Sequence, residues 1–536
     1  MNKENLKFYL VFLFALIFGI LIDYLFYGKP IGISFFVFIL IFVIFSLILI
    51  KKFGEKLNKI QYLLLIPAIL FSAIVFLRSS GFLTFFNIIG TLFLLSLFFV
   101  LFSRENLSDF NFLKYFISPI SFFLKSFGKS AKFIEENIGR FQAKKKFGSP
   151  EFYSVIRGII ISLPILAILI WLLSSADIVF QKYLEKIWKI NIDPEVVLRI
   201  LIVLVASYFF IGIFAKAFAN EKYENSPLKN NQPKFLGSIE SFVVLGLIEL
   251  LFLVFILIQF FYLFGGKEYV WGIEEYITYS EYAKKGFGEL IAVSIISFLL
   301  IYGIDKFGKR ENLLQKRTFK ISSSILVLEI FVIMASAFTR LSLYVDGYGY
   351  TLSRFLSFIF LFWLFFVFLS FLYKVFSEQK ETHFIFSAFW LTILFWVGIN
   401  FLNPDAFIAK KNIERYNQGK QIDVNYLTRL SEDTIPEIVK IFEAIGDEKV
   451  KNDIANELYL NYNPLKNVPC NFIGEPECRF IPFQESLQKI KENQRWQSFN
   501  ISKNKALKNL ERHSQEIEDY RKKWLEEYEK WLGNQK

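Results

Sequence analysis

IGISFFVFILIFVIFSLILI, residues 31–50, runs for twenty residues without a charge. As a helix rising 1.5 Å per residue it would cover ~30 Å, the thickness of the hydrocarbon core of a bilayer. Lys29-Pro30 precedes the run and Lys51-Lys52 follows it, so it reads as a helix held between two polar interfaces. Outward from it the pattern recurs near 8–27, 60–77, 82–102, 155–175, 195–218, 240–264, 287–304, 321–340, 354–373 and 384–402. Open strands are excluded, because their unpaired backbone groups would be left in lipid. The expected fold is all-α: a polytopic helical membrane bundle of about eleven transmembrane helices with a C-terminal soluble helical domain. It divides into an N-terminal four-helix membrane segment (1–102), a basic amphipathic connector (103–153), a seven-helix membrane segment (154–402) and a helical tail (403–536). Pro67 and Pro164 fall inside spans and should kink them. Composition agrees, with 54% hydrophobic and only 21% charged residues. The 68 Phe against 2 Met fit an AT-rich coding bias, so Phe content is not read as function.

The net charge is +12, and residues 403–536 carry 22 basic and 22 acidic side chains, so the whole excess lies in the membrane part. That distribution fits topology and contact with anionic lipid headgroups rather than nucleic acid, for which no binding pattern is present. With the N-terminus in the cytoplasm, inside segments carry 27 Lys and Arg and outside loops carry 10. The positive-inside bias thus expects a multi-pass plasma-membrane protein with its tail extracytoplasmic. The first span reads as an uncleaved signal-anchor, since its apolar stretch is long and no small-x-small site follows. The only cysteines, Cys470 and Cys478 in CNFIGEPEC, both fall in the tail. In an exported segment they are a candidate disulfide, though two free thiols would read the same.

The connector mixes Phe110, Phe122, Phe123 and Phe127 with Lys114, Lys125, Lys129 and Lys132. It suits helices lying among headgroups, or a helix packed on the ends of the spans. The tail should be helical from Ser431 and Pro436 onward, with a second helix over 447–460 and a long charged helix over 484–533. Trp524, Leu525, Tyr528, Trp531 and Leu532 would form the apolar stripe of that last helix.

Chemistry-bearing motifs are scarce. No P-loop, HExxH, CxxC or GxSxG occurs, and there are 2 His, so no catalytic residue, cofactor site or metal site is assigned. Two features remain. Glu249 and Glu329 fall inside spans, where a charge costs at least ~2.5–3.5 kcal/mol; they would line a proton or cation path or simply bond neighbouring helices. Arg340-Leu-Ser-Leu-Tyr-Val-Asp-Gly-Tyr-Gly-Tyr-Thr-Leu-Ser-Arg354 joins two spans. There Asp346 can pair with Arg340 or Arg354, and Tyr344 and Tyr348 suit an interface. This is a well-anchored hairpin, or a polar pocket for an anionic headgroup or peptide.

Several segments together resemble a known family: YGKPIGISFF from Tyr27, LSSADIVF from Leu173, YSEYAKKGF from Tyr279, Arg340 to Arg354, NPDAFIAKKNIER from Asn403, DVNYL from Asp423 with LSED from Leu430, and RWQSFN from Arg495. They resemble, from about Asp23 to about Leu510, bacterial multi-pass membrane proteins grouped as a domain of unknown function, series four-one-seven-three, related to four-one-five-three. The resemblance implies an integral membrane location and no activity, cofactor or site residue. With the topology it places most of these motifs outside, Asp177 among them. The expectation is a tail docked on outer loops, with Asp405, Arg415 and Asp346 in one polar network. Functionally this points to a non-enzymatic sensor, assembly or scaffold protein with a membrane or envelope protein partner. The alternatives are an ion-coupled transporter or lipid flippase using Glu249 and Glu329, and a membrane enzyme acting on lipid-linked substrates.

Overall fold

The computed structural model describes residues 3–53, 57–101, 106–142, 194–217, 236–264, 286–462 and 482–533, with Leu173. Among them, ten helices are long and apolar enough to span a membrane, and the chain is an all-α polytopic membrane protein. The helices α1 (Lys3–Phe26), α2 (Ile33–Phe53), α3 (Lys59–Leu77) and α4 (Gly81–Val100) form the first group. The second comprises α6 (Pro194–Ala217), α7 (Ser238–Phe264), α8 (Phe287–Phe307), α9 (Leu313–Tyr348), α10 (Leu352–Phe376) and α11 (Glu381–Leu402). The eleventh expected span, 155–175, lies outside the described residues, as do Pro164, Asp177, Cys470 and Cys478.

These helices are apolar around most of their circumference, as helices in lipid must be. Polar side chains mark the joints. Asp23 of α1 accepts from Arg199 of α6 at 2.8 Å. Asn87 of α4 and Asn400 of α11 exchange amide hydrogen bonds at 2.8 and 3.0 Å, and the Trp396 indole donates to Asn87 at 2.9 Å. Each amide there satisfies the other, which removes the cost of leaving one in hydrocarbon. α3 runs on through the buried Pro67, and Asn58 and Gln61 close its start as a reciprocal capping box.

Between the groups lies α5 (Phe112–Gln142). Tyr115, Phe122, Ser126 and Ser130 are buried on one face, whereas Phe116, Ile120 and Leu124, four residues apart, are exposed. Ser130 donates to the Tyr208 carbonyl of α6 at 2.6 Å. The helix therefore packs on the bundle with one face and turns an apolar face outward.

Two sequence expectations change. The ninth span, read as 321–340, is the 36-residue helix α9, ~54 Å long at 1.5 Å per residue. Hydropathy marks only its lipid-facing middle, and no residue breaks the helix before Gly349, whose φ of +82° ends it. Arg340 is therefore a helical residue rather than part of a hairpin, and the turn shrinks to Gly349-Tyr350-Thr351. The single helix over 484–533 is instead three pieces, α16 (Phe483–Glu492), α17 (Ile501–Arg512) and α18 (Ser514–Gly533). Asn500 restarts the chain as an N-cap, its side chain accepting from Lys503 N at 3.0 Å.

The tail continues from α11 through α12 (Pro404–Asn417), α13 (Val424–Arg429), α14 (Ile435–Ala444) and α15 (Glu448–Tyr462). It has its own core, including Ile438, Phe442, Leu458, Tyr459, Phe483, Leu507 and Leu510. The membrane helices share a separate core. How two apolar cores meet across a polar seam is the structural question this protein poses.

Candidate functional site

The seam is built where the tail meets the ends of α1–α4 and α9–α11. All its contacts fall on one end of the bundle, the end holding the turns after α1, α3 and α9 and the residue after α11.

Its first knot centres on Asp433, whose side chain is 1% exposed. The residue lies in the short 3-10 turn Glu432–Thr434, which leads into α14. The turn aims the carboxylate back at the membrane helices. One oxygen accepts from Ser79 N at 2.8 Å and Ser79 Oγ at 3.1 Å. The other accepts from Asn403 Nδ2 at 3.3 Å and from the Ser502 hydroxyl, with Arg78 at 3.7 Å. Ser79 Oγ in turn accepts from Asp433 N at 3.0 Å. Asn403 is the hinge between α11 and α12 and holds a left-handed φ of +50°, which Asn tolerates better than most residues. Beside it Ser431 donates to Asp405 at 2.6 Å. Asn500 donates to the Arg78 carbonyl at 2.7 Å. A buried carboxylate with several donors is the arrangement that makes burial of a charge tolerable.

A second knot holds the C-terminal end of α9. Its last carbonyls carry the negative end of the helix dipole. Arg415 of α12 donates to the carbonyls of Asp346 at 2.5 Å and Gly347 at 3.3 Å. Arg354 of α10 donates to those of Tyr348 and Gly349 and lies 4.0 Å over the Tyr344 ring. Asn412 reads the Tyr350 backbone from both sides, accepting from N at 2.7 Å and donating to O at 2.8 Å. The Tyr426 hydroxyl accepts from Leu352 N at 2.8 Å, and burial raises the pKa of that phenol.

A third contact ties in the turn between α1 and α2. Ile33 N donates to the Phe499 carbonyl at 3.0 Å. A Cβ on Gly32 would fall 2.6 Å from the Ser498 backbone. Gly32→Ala should therefore push the 496–500 segment away and lower stability by ~1–3 kcal/mol, the usual cost of overpacking; thermal unfolding of the variant checks this.

The structure brings Tyr344, Asp346, Tyr348, Arg354 and Arg415 together. Asp405 falls in the other knot, so the expected single network is two. Asp346 pairs with neither Arg340 nor Arg354; its carboxylate meets Lys420 at 3.2 Å, because both knot arginines are spent on carbonyls. Arg340 is buried with its guanidinium against Gly286. The sequence assigns no role to Asp433, Ser79, Asn412 or Asn500, although Asn412 and Asn500 stand in the quoted NPDAFIAKKNIER and RWQSFN segments. Asp433 stood in the quoted LSED segment, but two acids before a helix read as ordinary first-turn charges.

A cavity of about 560 Å³ opens beside the second knot. Phe287, Tyr344, Ser353, Arg354, Ser357 and the tail's Tyr426 are among its walls. The other candidates sit apart from it. Glu249 of α7 faces Ser322 and Glu329 of α9, and Glu249 Oε1 and Glu329 Oε2 are buried without a hydrogen-bond partner among the described residues. Ser336 and Gln259 join the two helices at 2.8 Å nearby. Among the described residues no group of three metal-ligating side chains converges.

No curated protein and no solved structure matches the chain. One family model, described as Domain of unknown function (DUF4153), matches residues 65–441. That stretch is well over half of the chain, though shorter than the expected Asp23 to Leu510. It runs from α3 into α14 and includes both knots' Asp405, Arg415 and Asp433. Of the two related groups that the motifs suggested, this is the one matched, and the chain, a polytopic membrane protein, belongs to the DUF4153 family of unknown function.

Proposed function

We propose that this protein is a non-enzymatic sensor or assembly factor whose tail, on the extracytoplasmic side, reports to the membrane helices. One observation carries the reading: the buried Asp433 carboxylate is shared between the tail and the turn joining α3 to α4, so the tail cannot shift without breaking a desolvated polar knot. In this reading the knot is made in one state and broken in another, the kind of two-state element through which distant sites couple. The cavity at the second knot has walls from both parts, so a ligand there would touch tail and helices at once. Arg354, the Ser353 and Ser357 hydroxyls and the Tyr344 and Phe287 rings suit an anionic headgroup or peptide with an apolar body.

Hydrogen exchange on the full chain in phosphatidylcholine nanodiscs tests it. Asp433→Asn should speed exchange in the seam, and also severalfold in the turns at 307–312 and 376–380 on the opposite face. A seam that opens while those turns stay unchanged would refute the coupling. A reporter fused after Lys536 that is active only in the cytosol would refute the sidedness.

The facing Glu249 and Glu329 favour a second reading, ion-coupled transport or lipid flipping. Under it, Glu249→Gln with Glu329→Gln should abolish function while membrane level and tail docking stay normal.

A further inference from the structure

The end of the bundle away from the tail carries a different constellation. The C-terminal ends of α8 and α10, the first turns of α9 and the start of α11 converge there. Three carboxylates each serve two donors. Asp305 accepts from Arg310 at 3.0 Å and from Lys374. Glu378 accepts from Lys320 at 3.0 Å and Lys316 at 3.4 Å. Glu381 accepts from Lys306 at 2.8 Å and from the Tyr302 hydroxyl. Five cations against three carboxylates leave the group two positive charges in excess. The excess is partly desolvated: the Lys374 side chain is 10% exposed and that of Arg310 17%. Arg310 lies 3.4 Å over the Phe319 ring. Burial pushes its guanidinium down to about 10, which leaves it charged at neutral pH.

Four of these cations, Arg310, Lys316, Lys320 and Lys374, line a cavity of about 240 Å³ together with Asp305, Glu378 and Glu381, so its walls keep one positive charge in excess. That volume is below the ~300–1,000 Å³ of pockets for drug-sized ligands, a size for one small anionic group. Its shoulders are apolar and open. Leu313 and Leu314 are 76% and 75% exposed, and Tyr373 and Phe376 are exposed on the next helix. A soluble anion would have no use for them, whereas acyl chains would cover them.

We infer that this cleft binds the phosphate of an anionic lipid headgroup, with Lys316, Lys320, Arg310 and Lys374 around the phosphate and the chains against Leu313, Leu314, Tyr373 and Phe376. The site is independent of the tail and of the sensor reading. The phosphate supplies the negative charge that the three carboxylates do not.

The test uses the full chain in phosphatidylcholine nanodiscs with or without phosphatidylglycerol, read by retained lipid in native mass spectrometry and by thermal unfolding. Phosphatidylglycerol should be retained and raise the midpoint. Lys316→Gln with Lys320→Gln removes two half-exposed cations and should weaken retention about 30-fold. Glu378→Gln, which frees the same lysines, should strengthen it. Equal retention by wild type and the lysine variant, or weaker retention by Glu378→Gln, would overturn the site. Inorganic phosphate that displaces the lipid and alone reproduces the midpoint shift would overturn the lipid assignment in favour of free phosphate.

Discussion

Asp433→Ala should uncouple the tail from the membrane helices while both cores stay folded. The carboxylate is almost fully buried and gathers Ser79, Asn403, Ser502 and Arg78. Truncating it leaves those four half-buried donors without their shared acceptor, where an orphaned buried group costs ~1–3 kcal/mol and a partly wetted one less. The losses do not add, and because the Arg78 left behind is 30% exposed the total should stay below the ~3–5 kcal/mol of a fully buried pair, at ~2–3 kcal/mol. That is a large share of the 5–15 kcal/mol typical of a folded domain. The cores are separate clusters, so the loss should show as a split calorimetric transition, with the tail melting first. Asp433→Asn should lie between: it keeps one acceptor but sets an amide donor against the donors already there. A single transition at the wild-type temperature in Asp433→Ala would show that the second knot and the Gly32 contact alone hold the tail.

The membrane helices were legible because a span has one requirement, about twenty residues without uncompensated charge, and that requirement is local. Helix ends beyond lipid carry no such signal, so α9 came out sixteen residues short, at 321–340 against Leu313–Tyr348. The docking of the tail was legible in outline, because sidedness and the order of motifs put hairpin and tail on one face. Its chemistry was not. Sequence pairs Asp346 with Arg340 or Arg354 because opposite charges attract; the fold gives Arg354, and Arg415 from the tail, to backbone carbonyls at the end of α9, which no composition reveals. Asn412 and Asn500 act on backbone groups distant in sequence, and an asparagine in a polar tail looks like any other. The charged cleft at the far face was visible only as topology lysines; that three carboxylates are each shared by two donors depends on helix ends meeting in space.

At that far face, Asp305→Ala should be the most damaging single change. Its carboxylate is the common partner of Lys374 and Arg310, and the three side chains are 8%, 10% and 17% exposed. Removing it leaves two buried cations around one empty point, a loss of ~3–5 kcal/mol by the rule for breaking a buried pair from one side. Arg310 keeps the Ile304 carbonyl at 3.1 Å and the Phe319 ring, and Lys374 keeps the Phe371 ring at 5.7 Å, so the damage should be shared by both cations. Asp305→Leu with Lys374→Met should then recover the share lost through Lys374, because an apolar pair is often no worse than the ion pair it replaces. A double-mutant cycle in unfolding free energy measures this, and a coupling below ~0.5 kcal/mol would show that the two do not act as a pair. The same cycle bears on the cleft. A bound phosphate can stand in for the lost carboxylate, so Asp305→Ala should cost less in nanodiscs containing phosphatidylglycerol than in phosphatidylcholine alone. If the loss is identical in both, the excess charge is met within the protein and the cleft has no phosphate to hold.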